Sequence, residues 1–76
     1  MRPVPASGTS DRPRLTPREH AILELLAQGF TARAMARRLG VAPATVSKHL
    51  QNVYRKLGTS DRLVTVLTAQ RLRILP

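Results

Sequence analysis

The side chains of this sequence that could do chemistry are cations, amides and hydroxyls rather than thiols or paired acids. Cysteine is absent, and the four acidic residues are scattered along the chain. No Ser-His-acid group, Cys-His group or Gly-rich phosphate loop can be assembled, so we expect neither an enzyme nor a cofactor site. His20 lacks a second ligand at metal spacing, so we expect it to face solvent and expect no metal site.

Charge is the more informative property. The sequence has 13 Lys and Arg against 4 Asp and Glu, a formal net charge of +9. No acidic residue occurs between Glu24 and Asp61, where the cations are Arg33, Arg37, Arg38, Lys48, Arg55 and Lys56. This placement favours a polyanionic partner over a merely solvated basic surface. A membrane-surface role would need a large free apolar face on a basic helix. Here each apolar face is expected to pack in the core.

The element that must position these cations spans residues 31–50, TARAMARRLGVAPATVSKHL. Its pattern predicts two short helices joined by a tight turn. Ala36 would allow close helix approach, Gly40 would supply a positive φ, and Val46 would pin the second helix to the first. A helix-turn-helix presents the outward face of its second helix to a DNA major groove.

That second helix is predicted to be amphipathic. With about 100° per residue, Leu50, Val53 and Leu57 lie on the side of Val46. The opposite face carries the polar residues Ser47, Lys48, Gln51, Asn52 and Arg55. These groups read base edges or grip phosphates, and no carboxylate accompanies them.

The remaining pattern predicts an all-α, four-helix domain over residues 15–76. Thr16 and Glu19 form a capping box that starts helix 1, which extends to about residue 28. Helix 2 spans about 32–39, helix 3 about 43–57, and helix 4 about 61 to 71 or 72. Helix 3 begins after Ala42, which has no side-chain acceptor for capping. Residues 1–14, rich in proline, are expected to form a disordered tail or linker.

Helix 4 carries two sets of apolar residues. Leu63, Val66, Leu67 and Ile74 lie on one side and are expected to complete the core. A second strip is formed by Val64, Leu67 and Thr68, flanked by Arg71. We interpret this strip either as a dimer contact or as incidental surface. No segment approaches membrane-spanning length or the pattern of a signal peptide, so the expected location is the cytoplasm, at the nucleoid.

Residues 15–62 resemble the LuxR-type helix-turn-helix domain of bacterial transcription regulators. The family's opening Leu-Thr-x-Arg-Glu appears as Leu15, Thr16, Arg18 and Glu19. Its later motifs are matched by Ala36, Leu39 and Gly40, by Thr45, Val46 and His49, and by Lys56, Leu57 and Gly58. Ser47, where the family usually has Lys, and Ala42, where it usually has Ser or Thr, depart from the pattern.

The resemblance implies sequence-specific binding of double-stranded DNA in transcription regulation, by a homodimer joined through helix 4. It implies base contacts by Ser47, Lys48 and Gln51. It implies phosphate contacts by Arg33, Thr45, His49, Arg55 and Lys56. A packing role for His49 is equally consistent with its position near the edge of the buried face. RNA polymerase is a candidate partner, and no small-molecule ligand is expected.

Two other functions remain open at this point. One is a promoter-recognition module resembling region 4 of sigma factors, whose helix-turn-helix is similar. The other is a protein-interaction module that dimerises through helix 4 and inhibits a full-length regulator. DNA binding at low salt distinguishes the second from a DNA-binding domain.

Overall fold

The computed structural model describes residues 13–76, which form four helices and contain no strand. The helices are α1 (Pro17–Ala27), α2 (Ala32–Leu39), α3 (Pro43–Leu57) and α4 (Arg62–Arg71). The predicted all-α, four-helix class is therefore confirmed. The predicted tail covers residues 1–14, of which 1–12 lie outside the described residues; Pro13 and Arg14 precede α1 in neither a helix nor a strand.

Capping residues set the helix starts. Thr16 Oγ1 accepts a 3.1 Å hydrogen bond from the Glu19 backbone N–H, and Glu19 Oε1 accepts a 2.9 Å bond from the Thr16 N–H. This confirms the capping box. Thr31 caps α2 through a 3.1 Å bond from the Ala34 N–H. Asp61 caps α4 by accepting from the Val64 N–H at 2.9 Å, so it precedes the first turn instead of belonging to it.

The turn between α2 and α3 has the predicted geometry. Gly40 adopts φ 69°, the left-handed conformation that a side chain would disfavour. Ala36 is buried at the contact side of α2, and its carbonyl accepts from the Val41 N–H at 3.0 Å. Ala42 precedes α3 without a side-chain cap, as expected, and Pro43 occupies the first turn.

The core lies where α1 packs against α3 and α4, with α2 packed on α3. Its buried apolar residues are Ile22, Leu23, Leu25, Leu26, Met35, Ala36, Val46, Val53, Leu57, Ala69 and Leu75. Leu15 and Phe30 pack against its edge. The predicted apolar face of α3 is confirmed, with Val46, Val53 and Leu57 buried and Leu50 partly buried against the core.

The predicted buried face of α4 is wrong for two residues. Leu63 and Leu67 are 65% and 54% exposed, whereas Thr65, Thr68 and Ala69 are buried. Thr65 can be buried because its hydroxyl is satisfied close by: Oγ1 donates to the carbonyl of Asp61, the N-cap of the same helix, at 2.6 Å. Val66 and Ile74 pack against the core as predicted.

His20 also differs from expectation, since it is half-buried rather than solvent-facing. Its Nε2 donates to the Ile74 carbonyl oxygen at 3.2 Å, and its Nδ1 lies 3.6 Å from Glu24 Oε2. The imidazole therefore ties the segment after α4 to the first helix.

Candidate nucleic-acid interface

The outward face of α3 is polar and open to solvent. Ser47, Lys48 and Gln51 are all exposed, on the side opposite Val46 and Val53, which are fully buried. The fold therefore brings the three predicted base-contacting residues onto one helix face. Since the apolar side is held by the core, this polar face is the one that α3 can offer to a partner.

The predicted phosphate-contacting residues surround that face. Thr45 and Arg55 are exposed on α3, and Arg33 is exposed on α2. Arg55 Nη2 donates to Asn52 Oδ1 at 3.0 Å, a contact at the surface that orients the guanidinium. His49 is half-buried, which is compatible with packing and with a phosphate contact.

Lys56 differs from the other predicted phosphate contacts because its ammonium has protein partners. Nζ lies 2.7 Å from Glu19 Oε1 and donates to the Arg14 carbonyl oxygen at 3.1 Å. The hydrogen bond from Lys56, followed by the backbone hydrogen bond from Thr16, holds the pKa of Glu19 below its ordinary value. The phosphate contact of Lys56 stays a prediction. Sequence reasoning missed this ion pair. The one sign of it in the sequence was Glu19, which had already been assigned to the capping box of helix 1.

Two further arginines contact the turn between α1 and α2. The guanidinium carbon of Arg38 lies 5.3 Å from the centroid of the Phe30 ring, within cation–π range. Arg62 Nη2 donates to the Phe30 carbonyl oxygen at 2.9 Å. Arg38 was one of the cations that suggested a polyanion partner, and the structure gives it a contact within the fold as well.

The proposed dimer strip on α4 is only partly accessible. Val64 and Leu67 are 49% and 54% exposed, and Arg71 is exposed. Thr68 is only 9% exposed, so it can contribute little to a contact with a second chain. Leu63, which was expected in the core, extends the exposed apolar surface instead. Dimerisation itself stays a prediction.

Within residues 13–76, no group of three or more His, Asp or Glu side chains is arranged to hold a metal ion. None of the four described helices is long and apolar enough to cross a membrane.

Residues 13–69 match the family described as bacterial regulatory proteins, luxR family. The chain belongs to the luxR family. This membership confirms the resemblance inferred from the motifs and decides against the sigma-factor alternative.

Individual relatives agree with the luxR assignment. A probable transcriptional regulatory protein NarL of Mycobacterium tuberculosis is 46% identical over 63 residues, which are 83% of this chain and 29% of that protein. The HTH-type transcriptional regulator MalT of Vibrio parahaemolyticus is 38% identical over 58 residues, 76% of this chain and 6% of MalT. The chain thus spans less than a third of these curated relatives.

Solved structures give the same fold. The transcription factor GerE superposes with a TM-score of 0.75 at 34% identity, covering 82% of this chain and 92% of the GerE chain. The response regulator ChrA of a heme-sensing two-component system gives a TM-score of 0.79 at 36% identity, covering 88% of this chain and 33% of ChrA. Family, relatives and fold together support DNA binding in transcription regulation as the function of this luxR-family domain.

Proposed function

We propose that this domain binds specific sequences of double-stranded DNA with α3 in the major groove, and that it catalyses no reaction. The observation that carries the proposal is the face of α3 formed by Ser47, Lys48 and Gln51. It is exposed, contains no carboxylate, and stands opposite a face that is fully committed to the core. Hydroxyl, ammonium and amide groups are those that read base edges.

We assign the side chains of this interface to two roles. Ser47 and Lys48 lie in the first half of α3 and Gln51 lies just past its midpoint. We assign these three to the bases because the N-terminal part of a recognition helix approaches base edges. Phosphate oxygens are bound by the surrounding residues Arg33, Thr45, His49 and Arg55. Contacts of this second kind fix the register of the protein on DNA without reading sequence.

The proposal includes a homodimer on DNA. Val64, Leu67 and Arg71 of α4 would meet their counterparts across a twofold axis, with Thr68 beneath the contact. Exposed leucine and valine on a small basic domain support this arrangement. RNA polymerase is a further candidate partner, and the cytoplasmic nucleoid is the corresponding location.

Selection of bound sequences from a random DNA pool, followed by affinity measurements at several salt concentrations, tests the central proposal. If Arg33 and Arg55 together with the other exposed cations of the domain make about six contacts to phosphate, affinity should fall roughly 10³-fold between 50 and 200 mM salt. An affinity independent of salt would contradict docking in the groove. A protein that binds no DNA even at low salt would support the interaction-module alternative instead.

Matched substitutions distinguish base contacts from phosphate contacts. Lys48→Ala or Gln51→Ala should weaken the preferred site by about 1 to 3 kcal/mol and relax the selected motif at one position. Arg55→Ala should weaken all sequences alike and reduce the salt slope by about one unit. If Arg55→Ala changes the motif and the other two leave it intact, the wrong end of α3 has been assigned to the bases.

Val64→Asp tests the dimer. The side chain is half exposed, so the charge should leave the core intact. Binding to a site with two half-sites should weaken far more than binding to one half-site. Equal losses on both DNAs, with an unchanged circular dichroism spectrum, would indicate that the domain binds as a monomer.

A further inference from the structure

The ammonium of Lys56 joins the end of α3 to two neighbouring points around the start of α1, which lie 37 and 42 residues away in sequence. It lies 2.7 Å from Glu19 Oε1 at the start of α1 and donates to the Arg14 carbonyl oxygen at 3.1 Å. The same Glu19 oxygen accepts from the Thr16 N–H at 2.9 Å. The last turn of α3 is thereby fastened to the first turn of α1 and to the segment before it.

The surroundings of this ion pair oppose its release to a phosphate group. The side chain of Glu19 is 5% exposed and that of Lys56 is 30% exposed. If Lys56 moved away, a nearly buried carboxylate would lose its cationic partner, which is strongly unfavourable. Arg55, the preceding residue, is fully on the exposed side and is hydrogen-bonded to Asn52 at the surface. The two adjacent cations therefore differ in environment: Lys56 belongs to a largely buried ion pair, and Arg55 lies at the surface.

The ion pair also supplies a directional constraint that the rest of α3 lacks. Its start has no side-chain cap, and its inner face is held by Val46, Val53 and Leu57. Apolar packing resists separation of the helices but is not directional. A charge-assisted hydrogen bond at the far end fixes both distance and orientation. It can therefore set the rotation and tilt of α3 relative to α1.

We propose that Glu19 and Lys56 are positioning residues of the DNA-binding surface, and that Lys56 holds α3 in place without contacting phosphate. This inference rests on the proposed function of α3. Lys56 matches the family motif, and the resemblance implied a phosphate contact for it; the positioning role replaces that contact. The pair acts on DNA through Arg55 and the polar face of α3, whose placement it fixes.

The test compares neutral substitutions of the two adjacent cations in the full chain, on one selected DNA site. Lys56→Gln should lower affinity by about 3- to 10-fold with the salt slope unchanged, because no phosphate contact is lost. Arg55→Gln should reduce the slope by about one unit. Lys56→Arg, which retains donors for Glu19 and Arg14, should restore most of the affinity.

Glu19→Gln is the second arm of the test, because simple charge effects and positioning predict opposite results. Removing a negative charge would strengthen binding to a polyanion if only net charge mattered. Positioning predicts weaker binding by a factor similar to that of Lys56→Gln, with no further loss in the double variant. Each assay is run below the unfolding transition of the variant, as judged by circular dichroism.

A reduced salt slope for Lys56→Gln would overturn the inference and make Lys56 a phosphate contact. Unchanged or tighter binding by Glu19→Gln would overturn it as well. If Arg55→Gln leaves the slope unchanged, the docking of α3 in the proposed function is what fails. The two hypotheses are thus distinguished by which of the adjacent cations changes the slope.

Discussion

The third and fourth helices use their apolar residues in opposite ways. In α3 the apolar residues Val46 and Val53 are fully buried, and polar residues cover the outer face. In α4 a threonine, Thr65, is fully buried, while Leu63 and Leu67 are 65% and 54% exposed. Hydropathy therefore locates the inner face of α3 and misplaces that of α4.

The difference follows from what each helix contacts. α3 packs against α1, α2 and α4, so its whole apolar stripe finds partners. α4 packs on α1 and α3. Thr65 forms its hydrogen bonds with Asp61 and Thr59, which lie at and just before the start of α4. Its hydroxyl donates to Asp61 and accepts from Thr59 Oγ1, 2.6 Å away. A hydroxyl satisfied in this way can be buried, and the leucines then remain outside.

The largest contrast is expected from truncation of one apolar residue on each helix. Val53→Ala should lower the free energy of unfolding by about 2 to 3 kcal/mol, through lost burial and a cavity. Leu67→Ala removes more atoms but should change it by less than about 0.5 kcal/mol, because the side chain is already half in water. Urea unfolding measures both. Similar losses would show that Leu67 is covered in solution, by a second chain or by a different packing of α4.

The ion pair that fastens α3 to α1 should make stability depend on pH. Glu19→Gln should lower the free energy of unfolding at neutral pH by about 2 kcal/mol, since a nearly buried, charge-assisted bond is lost.

The sign of this dependence follows from the lowered pKa of Glu19 in the folded protein. The stabilisation from ionised Glu19 is complete above about pH 5 and is lost as pH falls below the ordinary pKa of 4.5 toward the folded pKa. The free energies of unfolding of the parent protein and of Glu19→Gln should therefore converge as the pH is lowered from neutral to acid. A constant difference across that range would exclude Glu19 as the titrating group.

The buried hydroxyl of α4 can be tested by an isosteric change. Thr65→Val leaves the Thr59 hydroxyl without its acceptor and the Asp61 carbonyl without that donor, so it should lower the free energy of unfolding by about 1.5 kcal/mol. Thr68→Val is the control, because Thr68 is buried on the same helix and should tolerate a methyl group. Thermal unfolding that ranks Thr68→Val as the more harmful change would contradict this account of α4.

The smallest effects are expected at the helix starts, where α3 lacks a side-chain cap and α4 has one. Ala42→Ser should raise the free energy of unfolding by roughly 0.5 to 1 kcal/mol, and Asp61→Ala should lower it by about 1 kcal/mol. Both are measured by urea unfolding. No gain from Ala42→Ser would mean that the first amides of α3 already have partners.

Local chemistry made most of the fold and part of the candidate site predictable. Thr16, Thr31 and Gly40 mark helix ends because capping and positive φ depend on a few neighbouring residues. The exposed face of α3 could be derived because Val46, Leu50, Val53 and Leu57 repeat with the helical period. The location of Ser47, Lys48 and Gln51 on that face then follows without any knowledge of the other helices.

The sequence by itself thus determined the approximate helix boundaries, the helix-turn-helix and the polar face of α3, all of which arise from residues close in the chain. Tertiary structure alone decided that Lys56 meets Glu19, 37 residues away, and that His20 meets Ile74, 54 residues away. It also decided which side of α4 is buried. Periodicity identifies a face but cannot tell which neighbour covers it, because that depends on how closely two helices approach and on which polar groups they satisfy.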